Sequence, residues 1–254
     1  MIHTPITDTH AHLCDPVFDQ DREDIIARAA SRGVTAVICV GETLADGQRN
    51  IELARRYPQL LPAAGLSPAC FDEEKAGKLI EFIRKNQQLL VAIGEVGLDF
   101  WIAKEEETRR IQRKIFTEFI LLAKEVDLPL NVHSRSAGRH VVDLLLELNA
   151  RKVQLHAFDG KARYALPAVE AGYFFSVPPS IVRSPQKQKL IKHLPLSCLL
   201  LETDSPVLGP DHDRRNEPAN IIGVISAISE IKGIPEQEII EVASENVSRL
   251  YGEM

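Results

Sequence analysis

Six side chains able to hold a divalent metal stand at the ends of five separated apolar stretches. They are His10 and His12 in Thr-His-Ala-His, Glu95 in Ile-Gly-Glu, His133 in Asn-Val-His, His156 in Leu-His-Ala and Asp204 in Glu-Thr-Asp-Ser-Pro. The residues before them are apolar and β-branched, the pattern of buried strands that stop where the polar residue begins. Side chains two apart on an extended strand share a face, so His10 and His12 point inward together while Ala11 faces the helix layer. Imidazole and carboxylate donors without a thiolate nearby suit a hydrolytic centre of zinc, manganese or magnesium. A lone histidine after a strand is more often bonded to a loop, and a strand-terminal aspartate such as Asp8 or Asp204 is often a cap or turn former. Repetition at the same place in successive units is what favours a metal site here.

Bringing these ends together requires parallel strands. Apolar segments fall at about 4–9, 35–40, 60–66, 89–95, 128–133, 152–156, 173–177 and 197–203, most of them separated by helix-patterned stretches. Asp21 to Ser31 carries Ile25, Ile26, Ala29 and Ala30 on one stripe, with Gly33 as a stop. Glu105 to Val126 is a long amphipathic helix with Ile111, Ile115, Phe119 and Leu122 at helical spacing, and two more helices follow at 217–232 and 235–250, the last opening at Pro235. Strand and helix alternating eight times predict an α/β protein, a single (β/α)8 barrel over residues 1–254, and 254 residues suit that architecture. No linker or low-complexity run divides the chain. The predicted ligands then lie on strands one, four, five, six and eight at the carboxyl-terminal face, where barrel sites are built.

Composition limits the alternatives. With 44% hydrophobic and 26% charged residues the chain is an ordinary globular one, and no apolar run is long enough for a membrane helix. No amino-terminal targeting segment is evident, so a cytoplasmic protein without membrane attachment or an obligate protein partner is expected. Cys14, Cys39, Cys70 and Cys198 form no CxxC pair and read as buried apolar residues rather than a disulfide framework. A net charge of −6 argues against tight non-specific wrapping of duplex nucleic acid, but bound metals could still attract a phosphate ester.

Six motifs, in this order, carry a family resemblance. They are Asp8-Thr-His-Ala-His-Leu13, Ala92-Ile-Gly-Glu-Val-Gly-Leu-Asp99, Leu130-Asn-Val-His-Ser-Arg135, His156-Ala-Phe-Asp-Gly160, Leu201-Glu-Thr-Asp-Ser-Pro206 and Arg215-Asn-Glu-Pro218. The set resembles the TatD family of metal-dependent deoxyribonucleases over nearly the whole chain. The variants at 156–160 and 172–181 are most similar to the subgroup called TatD domain-containing protein 3. The resemblance implies a barrel of the amidohydrolase type with two divalent ions. His10 and His12 would hold one ion, His133 and His156 the second, Glu95 would bridge them, and Asp204 would bind the first and act as base. The implied reaction is attack on phosphorus by a shared, acidified water at nucleic-acid ends, single-stranded or frayed.

Neighbouring residues suggest substrate contacts. Arg135, two residues after His133, could hold a phosphate bidentately, and Glu202 could orient a ligand histidine or water. Asp99, Asn216 and Glu217 read as loop and cap residues, and His3, His140, His193 and His212 as solvated or capping histidines. The family commonly has Gly-x-His-Pro after strand three, whereas this chain has Gly65-Leu-Ser-Pro68. Ser67 therefore stands near the substrate with a hydroxyl, which can donate a hydrogen bond but cannot carry a proton at neutral pH. Two other functions use the same residues: hydrolysis of a carboxylic ester or amide, as in an aminoacyl-tRNA deacylase, and non-catalytic metal binding.

Overall fold

A computed structural model describes residues 4–253, so His3 lies outside the described residues. The elements in chain order are β1 (Ile6–Ala11), α1 (Arg22–Ser31), β2 (Val34–Cys39), α2 (Leu44–Arg56), β3 (Leu60–Ala64), α3 (Glu73–Asn86), β4 (Ala92–Gly97) and α4 (Glu106–Val126). They continue with β5 (Leu130–His133), α5 (Gly138–Glu147), β6 (Val153–Leu155), α6 (Ala162–Glu170), β7 (Phe174–Val177), α7 (Pro185–His193), β8 (Leu199–Leu201), α8 (Ile221–Lys232) and α9 (Glu236–Tyr251). Every strand pairs in parallel with its sequence neighbour, in the order β1 to β8. This is the expected (β/α)8 barrel. Its strands are buried on both faces, as helices on the outside and a filled interior require.

Local signals place the helices. Asp72 caps α3 by accepting from the Glu74 and Lys75 amides, and Thr43 caps α2 through Asp46 N. The stripe on α4 is confirmed, with Ile115, Phe119 and Leu122 buried. Gly33 follows α1 at φ 86°, a left-handed conformation that glycine adopts without steric cost. Pro235 sits at the cap position just before α9 rather than within it.

Most strands begin one to three residues later than the apolar pattern suggests, β4 and β8 among them. Leu89 N closes a turn onto Asn86 O at 2.8 Å, so the chain is still leaving α3 where the fourth strand was expected, and β4 starts at Ala92. Before β8, Leu196–Cys198 forms a 3-10 turn. A hydrophobic run reports burial; it does not report where strand pairing begins.

The seam between β8 and β1 is closed by bonds at the site end. Thr9 Oγ1 donates to Leu201 O at 2.9 Å, Asp204 N to His10 O at 2.8 Å and His12 N to Ser205 O at 2.7 Å. Asp8 completes it: its Oδ1 accepts from Thr203 N at 2.9 Å and from His10 N at 3.3 Å, and its Oδ2 accepts from Thr203 Oγ1 at 2.5 Å. Burial, partly offset by these bonds, raises the Asp8 pKa to about 7. Barrel closure and placement of His10, His12 and Asp204 are thus one network.

Candidate metal centre

All six predicted ligands converge at the carboxyl-terminal mouth. The Nε2 atoms of His10 and His12 are 3.3 Å apart. Glu95 Oε2 lies 3.5 Å from the first and 3.2 Å from the second, and Asp204 Oδ1 lies 3.4 Å from each. On the other side of the same carboxylate, Glu95 Oε1 is 2.5 Å from His133 Nδ1 and 3.2 Å from His156 Nε2. Neighbouring donors around an ion with bonds of ~2.1 Å sit roughly 3–3.5 Å apart, so most of these spacings match two ligand sets sharing Glu95.

Hydrogen bonding on the far side of each ring decides what faces the centre. Asn131 Nδ2 donates to Thr9 O at 2.9 Å, so Asn131 Oδ1 is the acceptor for His10 Nδ1 at 2.7 Å. His10 therefore presents a bare Nε2 lone pair to two carboxylates and a second imidazole. Asp99 Oδ2 lies 3.1 Å from His133 Nε2, which leaves the Nδ1 lone pair of His133 aimed at Glu95. Lone pairs directed at carboxylate oxygens repel unless a proton or a cation lies between them. The residues therefore fit divalent ions, with a carboxylate and an amide orienting the ligand rings from behind.

The local electrostatics agree. Burial alone would lower the pKa of His12 and His133, but the facing carboxylates outweigh it and raise them to about 9 and about 10. Burial would raise the Glu95 and Asp204 carboxyls, yet the surrounding histidines hold both well below the usual range. The cluster is thus a concentration of negative potential, filled by protons when no metal competes.

The backbone is shaped to allow this convergence. A Cβ on Gly94 would sit 2.5 Å from Asn131 Cβ, so glycine lets β4 and β5 approach closely enough for Asn131 to reach His10. Asp204 has φ 57° and Ala157, just after His156, has φ 40°; both left-handed turns aim their loops across the mouth.

Sequence reasoning missed Asn131 and undervalued Asp99. The carboxylate of Asp99 does serve the turn, accepting from Trp101 N at 2.8 Å and Ile102 N at 3.0 Å, but its second oxygen orients His133. An aspartate four residues beyond Glu95, in a strand-to-loop position, was the available signal. Glu202 is buried; it accepts from Ala157 N at 2.9 Å and Ser176 Oγ at 2.5 Å, and its Oε1 is 3.8 Å from His156 Nδ1, a buried nitrogen without a hydrogen-bond partner. Asn216 is a buried loop staple, donating to Thr203 O and Val207 O, each at 2.7 Å, and Glu217 holds Arg28.

A cavity of about 400 Å³ opens over the centre and includes His133, Arg135, His156, Asp159, Lys187 and Asp204 in its wall. Arg135 is exposed there, with its guanidinium carbon 5.1 Å from the Trp101 ring centroid. Lys187, from α7, donates to Ala157 O at 3.0 Å, and burial lowers its pKa. Ser67 is not part of that wall: its hydroxyl donates to Glu42 Oε1 at 2.8 Å. His140 and His193 are exposed, and His193 Nδ1 lies 2.8 Å from Lys189 O, four residues earlier. His212 Nε2 is 2.6 Å from an Arg183 nitrogen. The four cysteines are free thiols, and burial pushes Cys14 and Cys198 up to about 12. Among the described residues no helix is long and apolar enough to cross a membrane.

A parallel barrel with histidines and carboxylates gathered at its carboxyl-terminal mouth is the architecture of a metal-dependent hydrolase. The family model for TatD related DNase matches residues 7–252, and the chain belongs to that family. It is 43% identical over 258 residues to the deoxyribonuclease TATDN3 of Homo sapiens, covering 97% of this chain and 94% of that one. The 3'-5' ssDNA/RNA exonuclease TatD of Salmonella typhimurium is 29% identical over 257 residues, covering 96% and 98%. The crystal structure of the TatD homologue YjjV from Escherichia coli superposes with a TM-score of 0.90 at 28% identity, covering 98% of each chain.

Proposed function

We propose that this protein is a metal-dependent phosphodiesterase that cleaves DNA strands at their ends, with about two divalent ions per chain. The carrying observation is the pair of imidazole nitrogens, His10 Nε2 and His133 Nδ1, aimed at the two separate oxygens of Glu95 while an amide and a carboxylate hold the far side of each ring. His10, His12 and Asp204 would hold one ion, His133 and His156 the other, with Glu95 between them. When bound, the ions supply an acidified water and neutralise charge that develops on the phosphoryl oxygens. The residues around them do the rest. Asp204, charged at neutral pH and in the cavity wall, takes the proton of the attacking water at its carboxylate. Arg135 and Lys187 hold the phosphate from the open side. The cavity has the size of a single small-ligand site, which suits one nucleotide at a strand end.

The test is a comparison of single-stranded DNA, RNA and an aminoacyl ester as substrates for protein loaded in turn with zinc, manganese and magnesium, with bound metal counted by elemental analysis. DNA cleavage that disappears in Asp204→Asn, with the melt retained, is expected. Hydrolysis of the aminoacyl ester alone, or no metal bound under any condition, would overturn the reading.

A further inference from the structure

Trp101 is the chain's single tryptophan, and 57% of it is exposed. An indole so exposed contributes little to the core, yet this one is held in place. Its amide donates to Asp99 Oδ1 at 2.8 Å, and the preceding Phe100 N donates to Arg135 O at 3.0 Å. The other oxygen of Asp99 orients His133, so the loop carrying the indole is tied to the metal centre through one carboxylate.

Two cations accompany the ring. Lys104 Nζ is 4.7 Å and the Arg135 guanidinium carbon 5.1 Å from its centroid. Both side chains are exposed, and among the described residues neither makes an ion pair. Arg135 is also in the wall of the cavity over the centre, which makes cavity, guanidinium and indole one continuous surface. An exposed aromatic face flanked by unpaired cations matches a nucleotide, which offers a flat base and a phosphate together.

We infer that Trp101, with Lys104 and Arg135 beside it, is a base-stacking platform for the nucleotide adjoining the one at the metal centre, selecting single-stranded nucleic acid. It rests on the phosphodiesterase reading above and adds a reader of the base. A base paired within a duplex has its faces covered by its neighbours and cannot lie on the indole.

The experiment uses metal-loaded protein with two decamers of equal charge, both carrying phosphorothioate linkages to slow cleavage: oligothymidylate and a strand of abasic-sugar analogues. Because there is one tryptophan, its emission reports on this site alone. Oligothymidylate should quench it and bind about ten-fold more tightly than the abasic strand. Anisotropy of end-labelled strands, which needs no tryptophan, should show that preference collapse in Trp101→Ala and persist in Trp101→Phe, with thermal melts run on each variant. Equal quenching by both strands, or an undiminished preference in Trp101→Ala, would overturn the platform. Cleavage of unmodified oligothymidylate by the wild type keeps that failure separate, because no cleavage of any strand would sink the nuclease reading itself.

Discussion

His10 Nδ1 lies 2.7 Å from Asn131 Oδ1, and this contact sets which nitrogen of His10 carries the proton. The amide orientation follows from Thr9 O, which can only accept and takes the hydrogen of Asn131 Nδ2. Asn131→Ala leaves the buried ring free to change tautomer. A roughly 10–100-fold loss of metal affinity is expected, because groups behind a ligand carry that much of a metal site. Titration of the metal-stripped variant by calorimetry checks it, and unchanged affinity would show that His10 needs no orienting partner.

Asp99 plays the corresponding part for His133. Asp99→Asn keeps one oxygen to accept from the turn amides but turns an amide donor toward the His133 ring and removes the charge behind the imidazole. The expected result is a loss of about ten-fold or more in affinity at the His133–His156 set, with less effect on the His10–His12 set. Stoichiometric titration, in which the two binding steps separate, is the measurement; parallel weakening of both steps would contradict the assignment.

Acidity acts oppositely on the metal-free and metal-bound forms. In the metal-free protein His12 and His133 have pKa values raised to about 9 and about 10. Against an unfolded value of about 6.5, their contribution to stability is fully present below that pH and is lost as pH rises through 9 to 10. Metal binding requires these protons to leave, so affinity rises over the same interval. The gain in melting temperature on adding metal should therefore grow from pH 6 to pH 8.5, read as paired melts with chelator and with metal. A gain that shrinks with pH would refute the proton competition.

Asp8 is expected to be structural. Asp8→Leu leaves Thr203 N and Thr203 Oγ1 without their acceptor at the β1–β8 seam. Leaving buried donors unpaired costs about 1–3 kcal/mol each, which lowers the melting temperature by several degrees even in metal-free protein. A melt unchanged by this substitution would mean that the barrel closes without Asp8.

Arg135 and Lys187 are the cationic side chains in the cavity wall, Lys187 with its ammonium donating to Ala157 O. Removing either should weaken strand binding and reduce the steepness of its salt dependence by about 0.7 in the log–log slope for a single strand. Anisotropy titrations of a labelled oligonucleotide across salt concentrations give that slope. A parallel, equally steep line for Arg135→Ala would place it outside the phosphate path.

Strand–helix alternation and the strand-end placing of the six donor side chains were legible in the chain because both are local patterns. An apolar β-branched run shows a buried strand, and a histidine or carboxylate at its end shows what that strand delivers to the mouth. His10 and His12 share a face for the same reason that any residues two apart on a strand do. What the pattern could not show was pairing across the barrel. Asn131 stands 121 residues from His10, and nothing nearby in the sequence distinguishes an orienting amide from a filled core position. Asp99 could be read as a turn former because it is one; its second oxygen acquires a role only when β4 and β5 lie side by side. Ser67 stands where the family places an imidazole, yet the fold commits its hydroxyl to Glu42. Local order along the chain thus determined the architecture and the donor set. Tautomers, shared carboxylate oxygens and the surroundings of Trp101 depend on residues brought together by barrel closure, and only the tertiary structure decided them.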